Sequence, residues 1–215
     1  MDTLFNQIAA IGVVPVVKID DPQNAVPLAR ALLAGELPCA EITFRTAAGE
    51  EAIRSIHREA PELLLGAGTV LTVEQVDKAA AAGAQFLVSP GFNPRVVSRA
   101  REQKIPIVPG CSTPSDMEQA IEAGLEIVKF FPAEQAGGLD YIKAVSAPYP
   151  MLSFMPTGGI TRQNLSNYLR FKKVLACGGS WMVNAALINA GDFAKITLLC
   201  KEAVETARAA KAENT

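Results

Sequence analysis

The sequence predicts an α/β fold, a (β/α)8 TIM barrel with an extra N-terminal helix. Short apolar segments with strand character alternate with alanine-rich helical segments, and eight such units follow one another. Strands that alternate with helices pair in parallel through right-handed crossovers. The chain has 215 residues, which lies at the compact end of the size range of such barrels. The competing architecture, an open doubly wound sheet, should carry a glycine fingerprint after its first strand, and none is present there.

The first elements establish the repeat. Residues 2–11 predict a short helix, with Asp2 or Thr3 as its N-cap. The first strand is predicted at residues 13–18. Asp20-Asp21-Pro22 then opens the next helix by acidic capping and an early proline.

The same unit recurs to the end of the chain. Further strands are predicted at 39–44, 63–70, 86–91, 105–110, 127–132, 153–160 and 174–181. Further helices are predicted at 48–59, 73–82, 94–103, 115–123, 138–147, 162–169, 184–190 and 193–211. Several of them follow a capping Ser or Thr and end at a glycine. No linker or low-complexity segment interrupts the pattern, so residues 1–215 are expected to form a single (β/α)8 barrel domain.

Composition excludes several classes of function. Hydrophobic residues make up 49% of the chain and the formal net charge is −2, which gives no basis for a nucleic-acid partner. The start of the chain lacks the pattern of a signal peptide, and no apolar run is long enough for a membrane helix. The four cysteines are widely spaced and His57 is the single histidine, so we expect no metal, and reduced thiols in a cytoplasmic protein.

One strand carries a residue that its pattern does not explain. Lys129 lies in the middle of the apolar run Ile127-Val128-Lys129-Phe130-Phe131, and lysine is seldom buried without a partner. Desolvation favours the neutral amine, which is the nucleophile that forms Schiff bases with carbonyl substrates. The alternative is a lysine at a strand end that extends its amine to water.

Other polar residues gather at the same end of the predicted strands. Because side chains alternate along a strand, Glu41 and Arg45 share the face that points into the barrel, as Lys129 does. Thr69 and Pro90 fall where the third and fourth strands end. Barrel active sites lie at this end, and Glu41 is well placed to move protons. Alternatively, Glu41 and Arg45 are a plain strand pair.

Glycine pairs end the last two strands, in Thr157-Gly158-Gly159 and Gly178-Gly179-Ser180. Barrels commonly bind phosphate after strands 7 and 8, because bare backbone N–H groups can approach the anion there. Either pair alone is also explained by a tight turn. Both together, in these two positions, predict a phosphate site.

Six motifs in this order resemble the 2-keto-3-deoxy-6-phosphogluconate (KDPG) aldolase family of class I aldolases, over about residues 12 to 205. The motifs are Glu41-Ile42-Thr43-Phe44-Arg45-Thr46, Gly66-Ala67-Gly68-Thr69-Val70, Ser89-Pro90-Gly91, Val128-Lys129-Phe130-Phe131-Pro132-Ala133-Glu134, Pro156-Thr157-Gly158-Gly159-Ile160 and Cys177-Gly178-Gly179-Ser180-Trp181.

The resemblance implies a lyase without a cofactor, whose substrate is a phosphorylated keto acid. It implies Lys129 as the Schiff-base lysine and Glu41 as the general acid and base. The other implied roles are a carboxylate site at Arg45 and Thr69, apolar walls at Pro90 and Phe131, and a phosphate cradle at Gly158, Gly159, Gly179 and Ser180. Family members are typically homotrimers, and many also cleave 4-hydroxy-2-oxoglutarate.

Several alternatives stay open at this stage. Thr157 resembles the gluconate enzyme, whereas galactonate-specific relatives tend to carry an apolar residue at this position. Lys18 either adds a charge near the substrate or is simply solvated. The rival functions are a phosphate-binding barrel isomerase or epimerase without a Schiff base, and a barrel that binds a sugar acid phosphate without catalysis.

Overall fold

A computed structural model describes residues 3–213. Within that range eight strands alternate with helices, as the sequence predicts. The strands are β1 (Val13–Val17), β2 (Cys39–Thr43), β3 (Leu64–Gly68), β4 (Phe86–Val88), β5 (Ile107–Val108), β6 (Ile127–Phe130), β7 (Ser153–Pro156) and β8 (Cys177–Gly179). The α-helices are α1 (Thr3–Ile11), α2 (Ala25–Ala34), α3 (Gly49–Glu59), α4 (Val73–Ala82), α5 (Pro94–Glu102), α6 (Pro114–Glu122), α7 (Gly138–Val145), α8 (Arg162–Leu169), α9 (Ala185–Asn189) and α10 (Phe193–Ala212).

The strands form a closed ring of parallel neighbours. Six of them pair in the order β5-β4-β3-β2-β1-β8, and β6 pairs with β7. Parallel bridges join the two sheets, Gly110 to Lys129 between β5 and β6, and Thr157 to Gly178 between β7 and β8. The predicted (β/α)8 barrel, including its extra N-terminal helix, is therefore confirmed.

All eight predicted strands are longer than the observed ones, and most of the surplus lies at their carboxyl ends. The strand predicted at 153–160 ends at Pro156, and the one predicted at 105–110 is only Ile107–Val108. Beyond these ends the pairing continues through the single bridges at Gly110 and Thr157, and Gly158, Gly159 and Ile160 then form a loop of one rim. Gly178 and Gly179 differ, because they lie inside β8 instead of after it.

Local capping explains where several helices begin. Thr113 and Thr161 form reciprocal capping boxes with Asp116 and Asn164 at the starts of α6 and α8. The prediction of a helix opening at Asp20-Asp21-Pro22 is refined, since Asp21 caps a 3-10 turn at Pro22–Asn24 that leads into α2. Asp2, one of the two candidate caps of α1, lies outside the described residues.

The apolar residues form two layers. Strand side chains that point outward pack against the helices, as Ala40, Ile42, Val128 and Phe130 do. Side chains that point inward form a separate cluster inside the barrel, and α1 covers its amino-terminal end. Its members include Ile8, Val14, Cys39, Leu64, Phe86, Val108, Ile127 and Met155. In the part of the chain that the structure describes, no helix combines the length and apolarity needed to cross a bilayer.

Candidate active site

Lys129 and Glu41 meet inside the barrel. Lys129 is on β6 and Glu41 on β2, and the Lys129 Nζ lies 3.7 Å from the Glu41 Oε1. The Glu41 side chain is fully buried and that of Lys129 is 7% exposed. Both follow an apolar inward residue by two positions, Ile127 and Cys39, so strand alternation places them on the inner face.

The Glu41 carboxylate is held in an unusual environment. Neither of its oxygens has a hydrogen-bond partner within the described chain, and a buried carboxylate without partners is costly. A side chain on Gly68 of β3 could not coexist with it, because a Cβ there would lie 2.1 Å from the Glu41 Oε1. Glycine at that position therefore makes room for the carboxylate, which is left free to exchange protons with Lys129 or a bound molecule.

The Lys129 main chain is held by the segment that follows β5. Its N–H donates to the Pro109 carbonyl, and its carbonyl accepts from the Cys111 N–H, both at 2.8 Å. The amine lies 5.2 Å from the centre of the Phe131 ring, within the range of a cation–π contact. Phe131 therefore lies between the buried amine and the cavity at the barrel mouth that it lines.

Polar residues of β2 and β3 occupy the rim. The Thr43 hydroxyl donates to the Val17 carbonyl at 2.7 Å, and the Arg45 Nε donates to that same hydroxyl oxygen at 3.2 Å. Arg45 is exposed at the mouth, not enclosed in the interior as the sequence suggested. Thr69 follows the end of β3 with a φ of 57°, and the half-buried Pro90 follows β4.

A cavity of about 190 Å³ opens between the carboxyl ends of β7, β8, β1 and β2. The walls that sequence analysis anticipated are Arg45, Phe131, Thr157, Gly158, Gly159, Gly179 and Ser180, and the structure adds Val16, Ile160 and Gly178. Thr69 and Pro90 are on the other arc of the rim and do not line this cavity. The Thr157 hydroxyl is buried and has no partner among the described residues.

The loop after β7 presents unpaired N–H groups. The carbonyls of Thr157 and Gly158 accept from the N–H groups of Ala133 and Glu134, at 2.8 and 3.1 Å. In residues 3–213, the N–H groups of Gly159 and Ile160 have no hydrogen-bond partner. Consecutive free N–H groups beside a cavity are suited to an anion.

The remaining singled-out residues lie outside the cavity. Lys18 is exposed and pairs with Asp20 at 2.7 Å, so it is solvated. His57 is exposed on α3. Burial raises the pKa of the Cys111 thiol to about 12, so this thiol stays protonated at neutral pH. Within residues 3–213 no three His, Cys, Asp or Glu side chains are grouped so that they could hold a metal ion.

Two larger grooves lie on the helix layer. One of about 530 Å³ is between α5 and α6, and one of about 650 Å³ is between α7 and α8. Neither is lined by a buried charged side chain among the described residues. Volume alone would favour them, but the smaller cavity at the barrel mouth is lined by Phe131, whose ring lies 5.2 Å from the buried Lys129 amine. Lys129 and Glu41 themselves do not line that cavity.

Sequence reasoning missed Val16, although strand alternation from Val14 would have placed it on the inner face of β1. It also missed Asn164, whose side-chain amide donates to the Gly159 carbonyl at 3.0 Å. The spacing of Thr161 and Asn164 marks a capping box but gives no sign of this contact.

Comparison with known proteins agrees with the geometry. The family model "KDPG and KHG aldolase" matches residues 5–199. A 2-dehydro-3-deoxy-phosphogluconate aldolase of Treponema pallidum is 50% identical over 205 residues, which cover 95% of this chain and 98% of that protein.

Two solved structures are also similar. The 2-keto-3-deoxy-6-phosphogluconate aldolase of Zymomonas mobilis with 3-phosphoglycerate is 40% identical, with a TM-score of 0.89 over 96% of this chain and 97% of that one. The KDPG aldolase of Legionella pneumophila, with pyruvate captured as a covalent carbinolamine intermediate, is 37% identical, with a TM-score of 0.89 over 93% and 97%. The chain belongs to the KDPG and KHG aldolase family.

Proposed function

We propose that the protein is a class I aldolase that cleaves 2-dehydro-3-deoxy-6-phosphogluconate to pyruvate and glyceraldehyde 3-phosphate through a Schiff base on Lys129. The observation that carries this proposal is the buried pair of Lys129 and Glu41, 3.7 Å apart inside the barrel. An amine that is shielded from water and a carboxylate that has no other partner are the two groups that this reaction needs.

The first stage joins enzyme and substrate. The Lys129 amine, once it has passed a proton to Glu41, attacks the C2 ketone to give a carbinolamine. Loss of water, with Glu41 returning the proton to the leaving hydroxyl, gives the iminium ion. The nitrogen then carries the positive charge that accepts electrons in the next step.

The second stage breaks the carbon–carbon bond. The Glu41 carboxylate takes the proton of the C4 hydroxyl, the C4 oxygen forms a carbonyl, and the C3–C4 bonding electrons move into the iminium. Glyceraldehyde 3-phosphate departs and an enamine remains on Lys129. Glu41 returns its proton to C3, and water hydrolyses the pyruvate imine to free pyruvate and the amine.

The rim residues are assigned by their chemistry. Arg45 and Thr69 would bind the carboxylate of the keto acid, and Pro90 and Phe131 would form apolar walls. Gly158, Gly159, Gly179 and Ser180 would bind the phosphate. The unpaired N–H groups after β7 support the phosphate assignment. The unpaired Thr157 hydroxyl supports contact with a substrate hydroxyl and favours the gluconate over the galactonate substrate.

The same pyruvate-forming half of the site would serve 4-hydroxy-2-oxoglutarate, which lacks the phosphate. Cleavage would give pyruvate and glyoxylate.

We also infer a homotrimer from the family resemblance, which light scattering would test as a mass three times the 22.8 kDa of the chain. The four unpaired cysteines favour a reducing, cytoplasmic location.

Trapping with pyruvate and borohydride tests the central claim. Borohydride reduces an imine to a stable amine, so the intact protein should gain one pyruvate less water plus two hydrogen atoms, and peptide mapping should locate it on Lys129. Lys173 is an internal control, because burial lowers its pKa while its amine donates to the Tyr149 and Leu152 carbonyls and lies outside the proposed site. An unmodified chain, or label on Lys173 instead, would refute the proposal.

A further inference from the structure

The loop after β7 is held from the side opposite the cavity. Its Gly159 carbonyl accepts from the Asn164 side-chain amide at 3.0 Å. Asn164 and Glu134 line the groove between α7 and α8, whereas Gly159 and Ile160 line the cavity at the barrel mouth. The loop is therefore a wall between the two spaces, with its Gly159 carbonyl bound on the outer side.

Peptide planarity turns this anchoring into an orientation. In a trans peptide the N–H points away from the C=O of the same unit. Since the Gly159 carbonyl is bound by Asn164, the Ile160 N–H of that peptide is directed to the opposite side, where the cavity lies. That N–H is unpaired within the described residues.

Capping alone does not require an amide at position 164. The Asn164 Oδ1 accepts from the Thr161 N–H at 2.8 Å, and the Thr161 hydroxyl accepts from the Asn164 N–H at 3.4 Å. The start of α6 makes the same box with a carboxylate, since Asp116 accepts from the Thr113 N–H at 3.0 Å. The feature that distinguishes Asn164 from Asp116 is the NH2 group, and its partner is the Gly159 carbonyl.

We propose that Asn164 is a positioning residue for the phosphate site, whose side-chain amide holds the Gly159 carbonyl outward and so directs the Ile160 N–H at the phosphate of the substrate. The inference rests on the proposed phosphate site. Asn164 does not touch the reacting atoms, so its loss should weaken binding of phosphorylated molecules and leave the chemical step unchanged.

Four variants separate this role from capping and from charge. Asn164→Asp keeps the capping oxygen and loses the donor, and Gln163→Glu adds the same charge on the exposed neighbouring residue. Asn164→Ala loses both functions, whereas Thr161→Ala weakens the cap and keeps the donor to Gly159. KM and kcat are measured with 2-dehydro-3-deoxy-6-phosphogluconate and with 4-hydroxy-2-oxoglutarate, and the inhibition constant of inorganic phosphate is measured alongside.

We expect both Asn164 variants to raise the KM for the phosphorylated substrate about tenfold, as loss of one hydrogen bond to a charged group predicts. The phosphate inhibition constant should rise in parallel. Values of kcat, and both constants for 4-hydroxy-2-oxoglutarate, should stay within about twofold of wild type, a difference below the energy of one hydrogen bond. Gln163→Glu and Thr161→Ala should resemble wild type in all kinetic constants.

Equal KM changes in Asn164→Asp and Gln163→Glu, or in Asn164→Ala and Thr161→Ala, would overturn the positioning role.

Gly159→Ala tests the phosphate site itself, because Gly159 has a φ of 76° and a Cβ there would lie 2.6 Å from the Glu134 side chain. If Gly159→Ala raises the KM and the Asn164 variants do not, the positioning role alone fails. If none of these variants changes it, the phosphate site is also wrong.

Discussion

The two ends of the barrel interior are built from the same strands but have opposite character. At the amino-terminal end the inward side chains are apolar, and Ile8 of α1 packs among them. At the carboxyl end the next inward positions carry Lys129, Glu41 and Thr157, which are buried and polar. On β6 the change from Ile127 to Lys129 takes two residues, which is one step of strand alternation.

This difference shows that stability and chemistry are assigned to different ends of the barrel interior. The amino-terminal end, here called the lower layer, buries apolar surface, which stabilises the fold. The carboxyl end is the upper layer. The upper layer holds a carboxylate without hydrogen bonds, which is unfavourable for folding and suits a group that must exchange protons. Substitutions should therefore impair activity at the upper layer and stability at the lower one.

Lys129→Ala should give the largest effect. The aldolase rate should fall by more than about 10⁴-fold, the scale on which loss of a covalent nucleophile reduces other enzymes. Circular dichroism should still show a folded barrel, because the apolar layer below is unchanged. Steady-state cleavage coupled to detection of pyruvate measures the rate, and a variant that keeps its turnover would contradict the role of the amine.

Glu41→Gln should reduce kcat by about 10²- to 10⁴-fold, the usual contribution of a general acid or base. The shape of the side chain is kept, so pyruvate should still bind and be trapped by borohydride on Lys129, although more slowly because Glu41 also transfers protons during Schiff-base formation. Stopped-flow measurement of product formation gives the rate, and mass spectrometry gives the extent of trapping. A large loss of trapping with little change in kcat would mean that Glu41 binds the substrate and does not move protons.

Ile127→Ala tests the lower layer on the same strand and the same face as Lys129. Ile127 is 4% exposed, and its truncation should lower the free energy of unfolding by about 2–5 kcal/mol. The kcat of the folded protein should stay within about twofold of wild type, since the loss is in stability. Urea unfolding at fixed protein concentration measures the stability, and a specific loss of kcat would mean that the two layers are not separable.

The sequence predicted most of this arrangement because strand alternation is a strong constraint. It fixed the inward direction of Glu41 and Lys129, and the order of the strands brought them together. It did not give the ends of the strands, since Gly158 and Thr69 continue an apolar segment in sequence but leave the ladder in space. It also could not give the contact of Asn164 with Gly159, because the same capping pattern occurs at Thr113 and Asp116 without such a contact.

Thr157→Val should have the smallest effect, and it tests whether Thr157 acts in substrate binding or only in stability. The side chains have nearly the same shape, but the Thr157 hydroxyl is buried without a partner, so its removal should leave stability unchanged or raise it by up to about 1 kcal/mol. If the hydroxyl contacts the C4 hydroxyl of the substrate, kcat/KM for the gluconate substrate should fall about tenfold, the loss expected for one hydrogen bond. The galactonate substrate, which differs at C4, should be affected less, so the preference between the two should shrink. Equal losses for both substrates would show that Thr157 does not sense C4, and lower stability without kinetic change would place this residue with the structural layer.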